Sequence, residues 1–147
     1  MLCSAALEFY KLYGVSPGDR VVVLTNNDSA YSSVIELFNA GISVPLVIDV
    51  REKSDGNLPL KAKKLGIRVE FSKAISKVIG KKKVKAVELC SVVGEGAVLE
   101  TIICDSVLMS GGWTSTLNLW SHCGGKIKWD SKLNTLVPDE SFPSINE

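Results

Sequence analysis

Hydrophobic and polar positions along the first third of the chain follow two kinds of pattern. Residues 20–25 (RVVVLT) and 42–50 (ISVPLVIDV) are nearly continuous apolar runs, whereas residues 30–38 carry apolar side chains at helical spacing on one face. An apolar run of strand length is typical of a parallel strand that is covered on both faces. Residues 20–50 therefore predict a strand, a helix and a second strand parallel to the first.

Similar patterns extend this unit on both sides. Residues 4–12 and 57–65 predict two further helices, and residues 67–71 (IRVEF) predict a third parallel strand. Between about residues 73 and 105, β-rich runs are joined by short turns that contain glycine, which is the pattern of an antiparallel meander. A last short apolar strand, SVLMSGG at residues 106–112, closes on a glycine pair. We thus predict an α/β fold, a Rossmann-like parallel sheet with helices on one face and a β-meander on the other.

The pattern is lost in the last quarter of the chain. Residues 113–147 are more polar, carry Trp113, Trp120 and Trp129, and show little regular pattern. Since large apolar side chains on a surface mark a contact, we expect this segment to pack partly on the α/β core and to expose a patch that another domain or a second copy covers. The predicted division is a Rossmann-like domain at residues 1–112 and an irregular segment at residues 113–147.

The turn between the first strand and its helix is the first candidate for chemistry. A dinucleotide-binding domain has G-x-G-x-x-G or G-x-G-x-x-A here, because the glycines let a pyrophosphate approach the helix N-terminus. In this chain the six positions read TNNDSA, and only Ala30 keeps a small residue. Asn27 replaces the second glycine, and Asp28 is expected to cap the helix and to repel phosphate. The turn therefore predicts a dinucleotide site that has been filled in.

Two further positions could contribute to such a site. Asp49 lies 22 positions after Asn27, close to the roughly 20-residue spacing of a ribose-binding acid, and Arg51 could meet an adenine or a 2′-phosphate. A solvated acid beside a base explains the same pair. The glycine pair at 111–112 lets the backbone approach a ligand or a neighbouring domain. The candidate cofactor-binding residues are therefore Thr25, Asn27, Asp28, Ser29, Ala30, Asp49, Gly111 and Gly112.

Composition and charge argue against several classes of binding partner. Seventeen Lys and Arg against sixteen Asp and Glu give a formal net charge of +1, which offers no electrostatic surface for nucleic acid or an anionic membrane. The lysine run at residues 81–85 is expected to be a solvated hairpin turn. The N-terminal stretch does not have the pattern of a signal peptide, no run is long enough to span a membrane, and a cytoplasmic location is expected.

The cysteine and histidine content does not favour metal or nucleophilic chemistry. The four cysteines have no C-x-x-C pairing and are expected to be mainly buried, reduced thiols, and the chain has one histidine. The sequence also lacks a nucleophile–base pair or a pair of catalytic carboxylates at a recognisable spacing. We therefore predict neither a metal site nor catalytic residues.

Two segments resemble a known protein family. Residues 13–31 (YGVSPGDRVVVLTNNDSAY) and 104–130 (CDSVLMSGGWTSTLNLWSHCGGKIKWD) are similar to the α subunit of heterotetrameric sarcosine oxidase, a flavoprotein with two dinucleotide-binding domains. The resemblance implies that the chain is a truncated piece, the second domain inserted into the first, with an intact G-x-G-x-x-G upstream. It also implies NAD, FAD and FMN in the parent complex, which oxidises sarcosine, and no cofactor in this piece alone. Its partners would be the remaining domain of the α subunit and the other oxidase subunits.

Two alternatives to this interpretation remain open. The chain could be a functional NAD(H)-binding module that uses Asp49 and the backbone of the turn despite the lost glycines. It could instead bind a partner protein through residues 110–113 (SGGW). The isolated chain is not expected to catalyse a reaction in either case, and pairing of two copies is a further expectation.

Overall fold

The computed structural model describes residues 1–133 and 135–141, which fall into two compact units, Met1–Gly111 and Gly112–Glu147. In chain order, the elements of the first unit are α1 (Cys3–Tyr13), β1 (Arg20–Thr25), α2 (Ser29–Asn39), β2 (Ser43–Asp49), α3 (Asn57–Lys64), β3 (Val69–Phe71), β4 (Lys73–Gly80), β5 (Val84–Ser91), β6 (Val98–Ile103) and β7 (Ser106–Ser110). The second unit contains α4 (Asn118–His122), β8 (Ile127–Asp130) and β9 (Thr135–Pro138).

The central sheet of the first unit has four parallel strands in the order β3-β2-β1-β7. β1 pairs with β2 so that Val23 lies opposite Val47, and it pairs on its other edge with β7, where Val23 lies opposite Leu108. The predicted strand–helix–strand unit is therefore confirmed. Because β1 lies between two partners, its backbone donors and acceptors are satisfied on both edges without water.

The two faces of this sheet are covered by different kinds of structure. Val21 and Val23 of β1 belong to an apolar cluster with α1, α2 and α3, whereas Val22 packs with residues of β5 and β6 in a second cluster. All three valines are completely buried, which is why β1 is a continuous apolar run rather than an alternating one. The antiparallel sheet β4-β5-β6 is the predicted meander. The α/β fold with helices on one face and a meander on the other is confirmed.

The second unit corrects the expectation that the chain is irregular after residue 112. It contains the short helix α4 and an antiparallel hairpin of β8 and β9. The Asp130 carboxylate accepts the backbone N–H groups of Lys132 and Leu133 at 2.8 and 3.0 Å, which fixes the start of the hairpin turn. None of the residues described between 112 and 141 is buried. These strands therefore lack the long apolar runs by which a buried strand can be recognised.

The three tryptophans of this unit have different environments. Trp120 is half-buried, its indole Nε1 donates to the Lys126 carbonyl at 2.6 Å, and a Cβ added at Gly125 would overlap its ring. Trp113 and Trp129 expose 76% and 58% of their surface. Trp120 is thus part of the unit's own packing, and the exposed aromatic surface is at Trp113 and Trp129.

Candidate functional site

The candidate site lies at the carboxyl ends of β1, β2 and β7, where parallel sheets of this kind bind ligands. The turn after β1 is closed by Thr25, whose hydroxyl donates to the Asn27 carbonyl at 2.9 Å and accepts the Asn27 N–H at 3.1 Å. The Asn27 amide also donates to the carbonyl and to the hydroxyl of Ser110, both at 3.1 Å. Asn27 therefore links the turn to the end of β7 through the side chain that a glycine would lack.

Asp28 precedes the first helical residue of α2 but does not cap the helix. Its carboxylate makes no hydrogen bond to the helix N–H groups, and its backbone is helical, at φ −76° and ψ −21°. A capping side chain reaches back from an extended backbone, so the predicted capping role of Asp28 is wrong. The carboxylate instead accepts Arg51 Nη2 at 2.7 Å and the Ser54 hydroxyl at 2.8 Å.

The pKa of Asp28 reflects these contacts. Partial burial favours the neutral acid, but the hydrogen bonds from Arg51 and Ser54 stabilise the anion more and hold its pKa below the usual value of 3.8. The loop also packs tightly here, because a Cβ added at Gly56 would overlap Asp28 Oδ2. Asp28 thus connects the start of α2 to the loop that leads to α3.

Asp49 is completely buried at the end of β2, so its interpretation as a solvated acid is wrong. Its Oδ1 accepts the backbone N–H of Arg51 at 3.1 Å and Arg51 Nε at 3.0 Å. Its Oδ2 accepts Arg51 Nη2 at 2.7 Å and the hydroxyl of Tyr31 at 2.8 Å. An ionised carboxylate has about four acceptor positions, and here the protein fills all of them. A ribose-binding role for Asp49 stays a prediction, and it requires one of these donors to leave.

Arg51 is shared between two carboxylates. One guanidinium nitrogen, Nη2, lies 2.7 Å from an oxygen of Asp28 and 2.7 Å from an oxygen of Asp49. The hydrogen bonds to Asp49 and then to Asp28 raise the pKa of Arg51, and burial followed by the bond to Asp49 raises the pKa of Tyr31. We call Asp28, Tyr31, Asp49, Arg51 and Ser54 the acid–arginine network.

The remaining predicted residues do not belong to this network and differ in their surroundings. Ala30 is buried among the helix-side core residues, and the Ser29 hydroxyl donates to Asn27 Oδ1. A side chain at Gly111 would meet no described atom within 4 Å, so no close approach by the described chain explains that glycine. Gly112 has φ 107°, a conformation that favours glycine. Cofactor binding by these residues stays a prediction.

A shallow cavity also lies at this edge of the sheet. Its volume is about 130 Å³, and Thr25, Asn26, Val50, Met109 and Ser110 contribute to its lining. Pockets that hold drug-sized ligands typically enclose about 300 to 1,000 Å³. The cavity is therefore too small for a dinucleotide in the present arrangement of side chains.

Sequence reasoning missed Tyr31 and Ser54 as members of the site. Tyr31 follows the turn on the buried face of α2, where its pattern is that of a core residue, and only the fold brings its hydroxyl to Asp49. Ser54 lies in a polar loop with no distinguishing pattern. The one available signal was the combination of a strand-terminal acid with an arginine two residues later, which indicates a local ion pair but not its burial.

The described residues contain no group of three or more His, Cys, Asp or Glu side chains that could hold a metal ion. Cys3, Cys90 and Cys104 are buried free thiols, and Cys123 is exposed. Burial raises the pKa of Cys3 to about 11, with a smaller opposing effect from Ser33. No helix in the part of the chain that the structure describes is long and apolar enough to cross a membrane.

The fold is of the Rossmann type found in oxidoreductases that use FAD and pyridine nucleotides. A solved FAD-dependent pyridine nucleotide-disulphide oxidoreductase from Desulfovibrio vulgaris superimposes with a TM-score of 0.62 at 16% identity, over 83% of this chain and 32% of that one. No family model matches the sequence.

Sequence similarity relates the chain to one particular enzyme subunit. It is 30% identical over 145 residues to sarcosine oxidase subunit alpha from Rhizobium meliloti (strain 1021), covering 99% of this chain and 14% of that protein. It is 32% identical over 146 residues to the subunit of the same name from Corynebacterium sp. (strain P-1), covering 95% and 15%. Over almost its whole length the chain is homologous to sarcosine oxidase α subunits, which confirms the predicted resemblance. It spans about one seventh of the length of these curated relatives.

Proposed function

We propose that this chain is the second, inserted dinucleotide-binding-like domain of a sarcosine oxidase α subunit, and that its own side chains close the nucleotide site. The observation that carries the proposal is the position of Arg51, which bridges Asp28 and Asp49 at the point where a dinucleotide's ribose and phosphates would lie. Full-length homology to a segment of these α subunits supports the assignment to this enzyme.

The charges of the acid–arginine network oppose nucleotide binding. Two carboxylates and one guanidinium leave a net charge of −1 beside the N-terminus of α2, and phosphate anions are repelled by it. A ribose would have to replace a donor at a buried carboxylate, which costs about 1 to 3 kcal/mol for each hydrogen bond to a charged group that is not recovered. Asn27 adds a steric obstacle, because its side chain lies between the turn and β7.

In the parent enzyme this domain would be structural. The NAD, FAD and FMN of the oxidase would be held by the remaining domain of the α subunit and by the other subunits, which are also its proposed partners. The complex as a whole would oxidise sarcosine, and its proposed location is the cytoplasm. The FAD dependence of the Desulfovibrio vulgaris oxidoreductase is in keeping with a flavin in the parent, outside this chain.

Calorimetry with NAD⁺ and NADH tests the proposal directly. The wild-type chain is expected to give no binding heat at ligand concentrations up to the millimolar range. The double variant Asn27→Gly, Asp28→Gly removes the amide and one carboxylate, and it is expected to gain weak affinity. Asp55→Gly is the matched control, because Asp55 lies on the loop after β2 and is 86% exposed. A micromolar dissociation constant for the wild type would refute the closed site and support a functional NAD(H)-binding module.

A second candidate function is partner binding through residues 110–113 (SGGW). It is favoured by the exposure of Trp113, which leaves 76% of its surface to solvent. Aromatic side chains are enriched where proteins bind one another. A pull-down with the other oxidase subunits that is unaffected by Trp113→Ser would refute this role.

A further inference from the structure

The β4–β5 hairpin carries a concentration of charge that the candidate nucleotide site does not use. Six of the chain's seventeen lysines and arginines lie between residues 73 and 85, and this stretch has no Asp or Glu. The other eleven lysines and arginines are outnumbered by sixteen acidic residues, so the rest of the chain has a formal charge of −5. The net charge of +1 is therefore the sum of a basic hairpin and an acidic remainder of the chain.

The lysines at the tip of this hairpin are exposed and have no acidic partner. Lys81, Lys82 and Lys83 form the turn, and Lys77 and Lys85 flank it. None of these five side chains forms an ion pair with any residue that the structure describes. Like charges held close together on paired strands repel one another, so an anion at this place would relieve the repulsion.

The hairpin also encloses a groove with an apolar side. The groove has a volume of about 730 Å³, and Val78 and Ile79 line it together with the lysines. Val78 exposes 48% of its surface. Lysines on a sheet edge deter unwanted strand pairing, which accounts for Lys77 on the edge strand β4. It does not account for three lysines in the turn, where no strand could add.

The residue types around the groove discriminate among anionic partners. Residues 72–104 contain neither arginine nor an aromatic residue. Surfaces that read bases or stack on single strands commonly use arginine forks and aromatic side chains, and bidentate recognition of phosphate favours arginine or converging backbone N–H groups. Lysines beside the exposed Val78 and the half-buried Ile79 match carboxylates interspersed with apolar side chains.

We propose that residues 77–85 form a docking surface for an acidic, partly apolar segment of another protein chain. The inference rests on the segregation of charge and on the groove, and it holds whether or not the nucleotide site is closed. Attraction between opposite charges of this kind speeds association and is weakened by salt.

Fluorescence anisotropy with a labelled glutamate–leucine peptide tests the surface, and a peptide with glutamine in place of glutamate is the ligand control. The test variant is Lys81→Glu with Lys83→Glu. The matched control is Lys61→Glu with Lys64→Glu, which makes the same change in net charge at exposed lysines of α3. Both variants are first checked for wild-type circular dichroism and thermal unfolding.

The wild type and the α3 control are expected to bind the glutamate peptide with the same affinity. The hairpin variant is expected to bind it at least about tenfold more weakly, because in salt only charges close to the bound peptide contribute to affinity. Amide chemical shifts should change mainly at residues 77–85. Equal loss in both variants would overturn the proposal, because it would show attraction to net charge alone. No binding of the glutamate peptide by the wild type, or tighter binding of a thymidine oligonucleotide than of the peptide, would also overturn it.

Discussion

Replacing Arg51 with alanine leaves the buried Asp49 carboxylate without its cationic partner. Two of the four hydrogen bonds to Asp49 come from the guanidinium, at 3.0 and 2.7 Å, and both are lost. The Tyr31 hydroxyl and the Arg51 backbone N–H remain. The variant therefore keeps a charge in the interior with half of its donors.

The loss in the free energy of unfolding can be estimated from the burial of Asp49 and Arg51. Removing one member of a buried ion pair typically costs about 3 to 5 kcal/mol, because the other charge stays desolvated. Asp49 is completely buried, but the Arg51 side chain is 31% exposed, so water can enter the space that it vacates. We therefore expect the lower end, a loss of about 3 kcal/mol in the free energy of unfolding. A domain of ordinary stability, about 5 to 15 kcal/mol, would lose a large fraction of its total.

Urea unfolding followed by circular dichroism measures this loss as a shift of the midpoint at constant slope. Lys53→Ala is the control, because Lys53 lies in the same loop and its 3.6 Å pair with Asp55 is 80% and 86% exposed. It should change stability by less than about 0.5 kcal/mol. A cycle with Asp49→Asn should show a coupling of about 1 to 3 kcal/mol between Asp49 and Arg51. An Arg51→Ala cost below about 1 kcal/mol would refute the role assigned to a buried ion pair.

Three further predictions concern other parts of the chain. The pKa of Asp28 lies below 3.8, so the stabilisation by its carboxylate is complete above that pH and is lost as the pH falls through the lower pKa of the folded protein. The urea midpoints of the wild type and of Asp28→Asn should therefore converge at low pH. A difference between the two midpoints that stays constant down to the lowest pH would contradict this. Gly56→Ala should cost about 1 kcal/mol or more by displacing the Asp28 carboxylate, whereas Gly111→Ala, where nothing lies within 4 Å, should be neutral in the same urea assay. Sedimentation at high concentration should show self-association that weakens in a Trp113→Ser, Trp129→Ser double variant. A wild-type chain that stays monomeric would refute the interpretation of these tryptophans as a contact surface between copies.

The centre of the parallel sheet could be predicted because β1 and β2 are buried on both faces. Val21, Val22 and Val23 follow one another without a polar residue, and burial of all three leaves a signal that a sequence pattern can detect. The meander was predictable from its β-rich runs and turns. The hairpin in the second unit was not, because the unit has no buried residue among those described and so imposes no apolar period on its strands.

The candidate site was located from the sequence, but its chemistry was not. Position after a strand identified the turn and Asp49, since that placement follows from topology. The partners of each side chain depend on tertiary packing, and Arg51 lies 23 positions from Asp28. Capping was inferred from residue type alone, and the helical backbone at Asp28 excludes it.

The place of β7 in the sheet has a consequence for how the chain folds during synthesis. β7 pairs with β1, and contacts at this junction, such as that between Arg20 and Asp105, join residues 85 positions apart. Until residue 110 has left the ribosome, one edge of the valine-rich strand β1 has unpaired backbone N–H and C=O groups, and such edges recruit strands from other chains. Translation that stops within the meander would thus yield an aggregation-prone product, even though the strand–helix–strand unit has already been made.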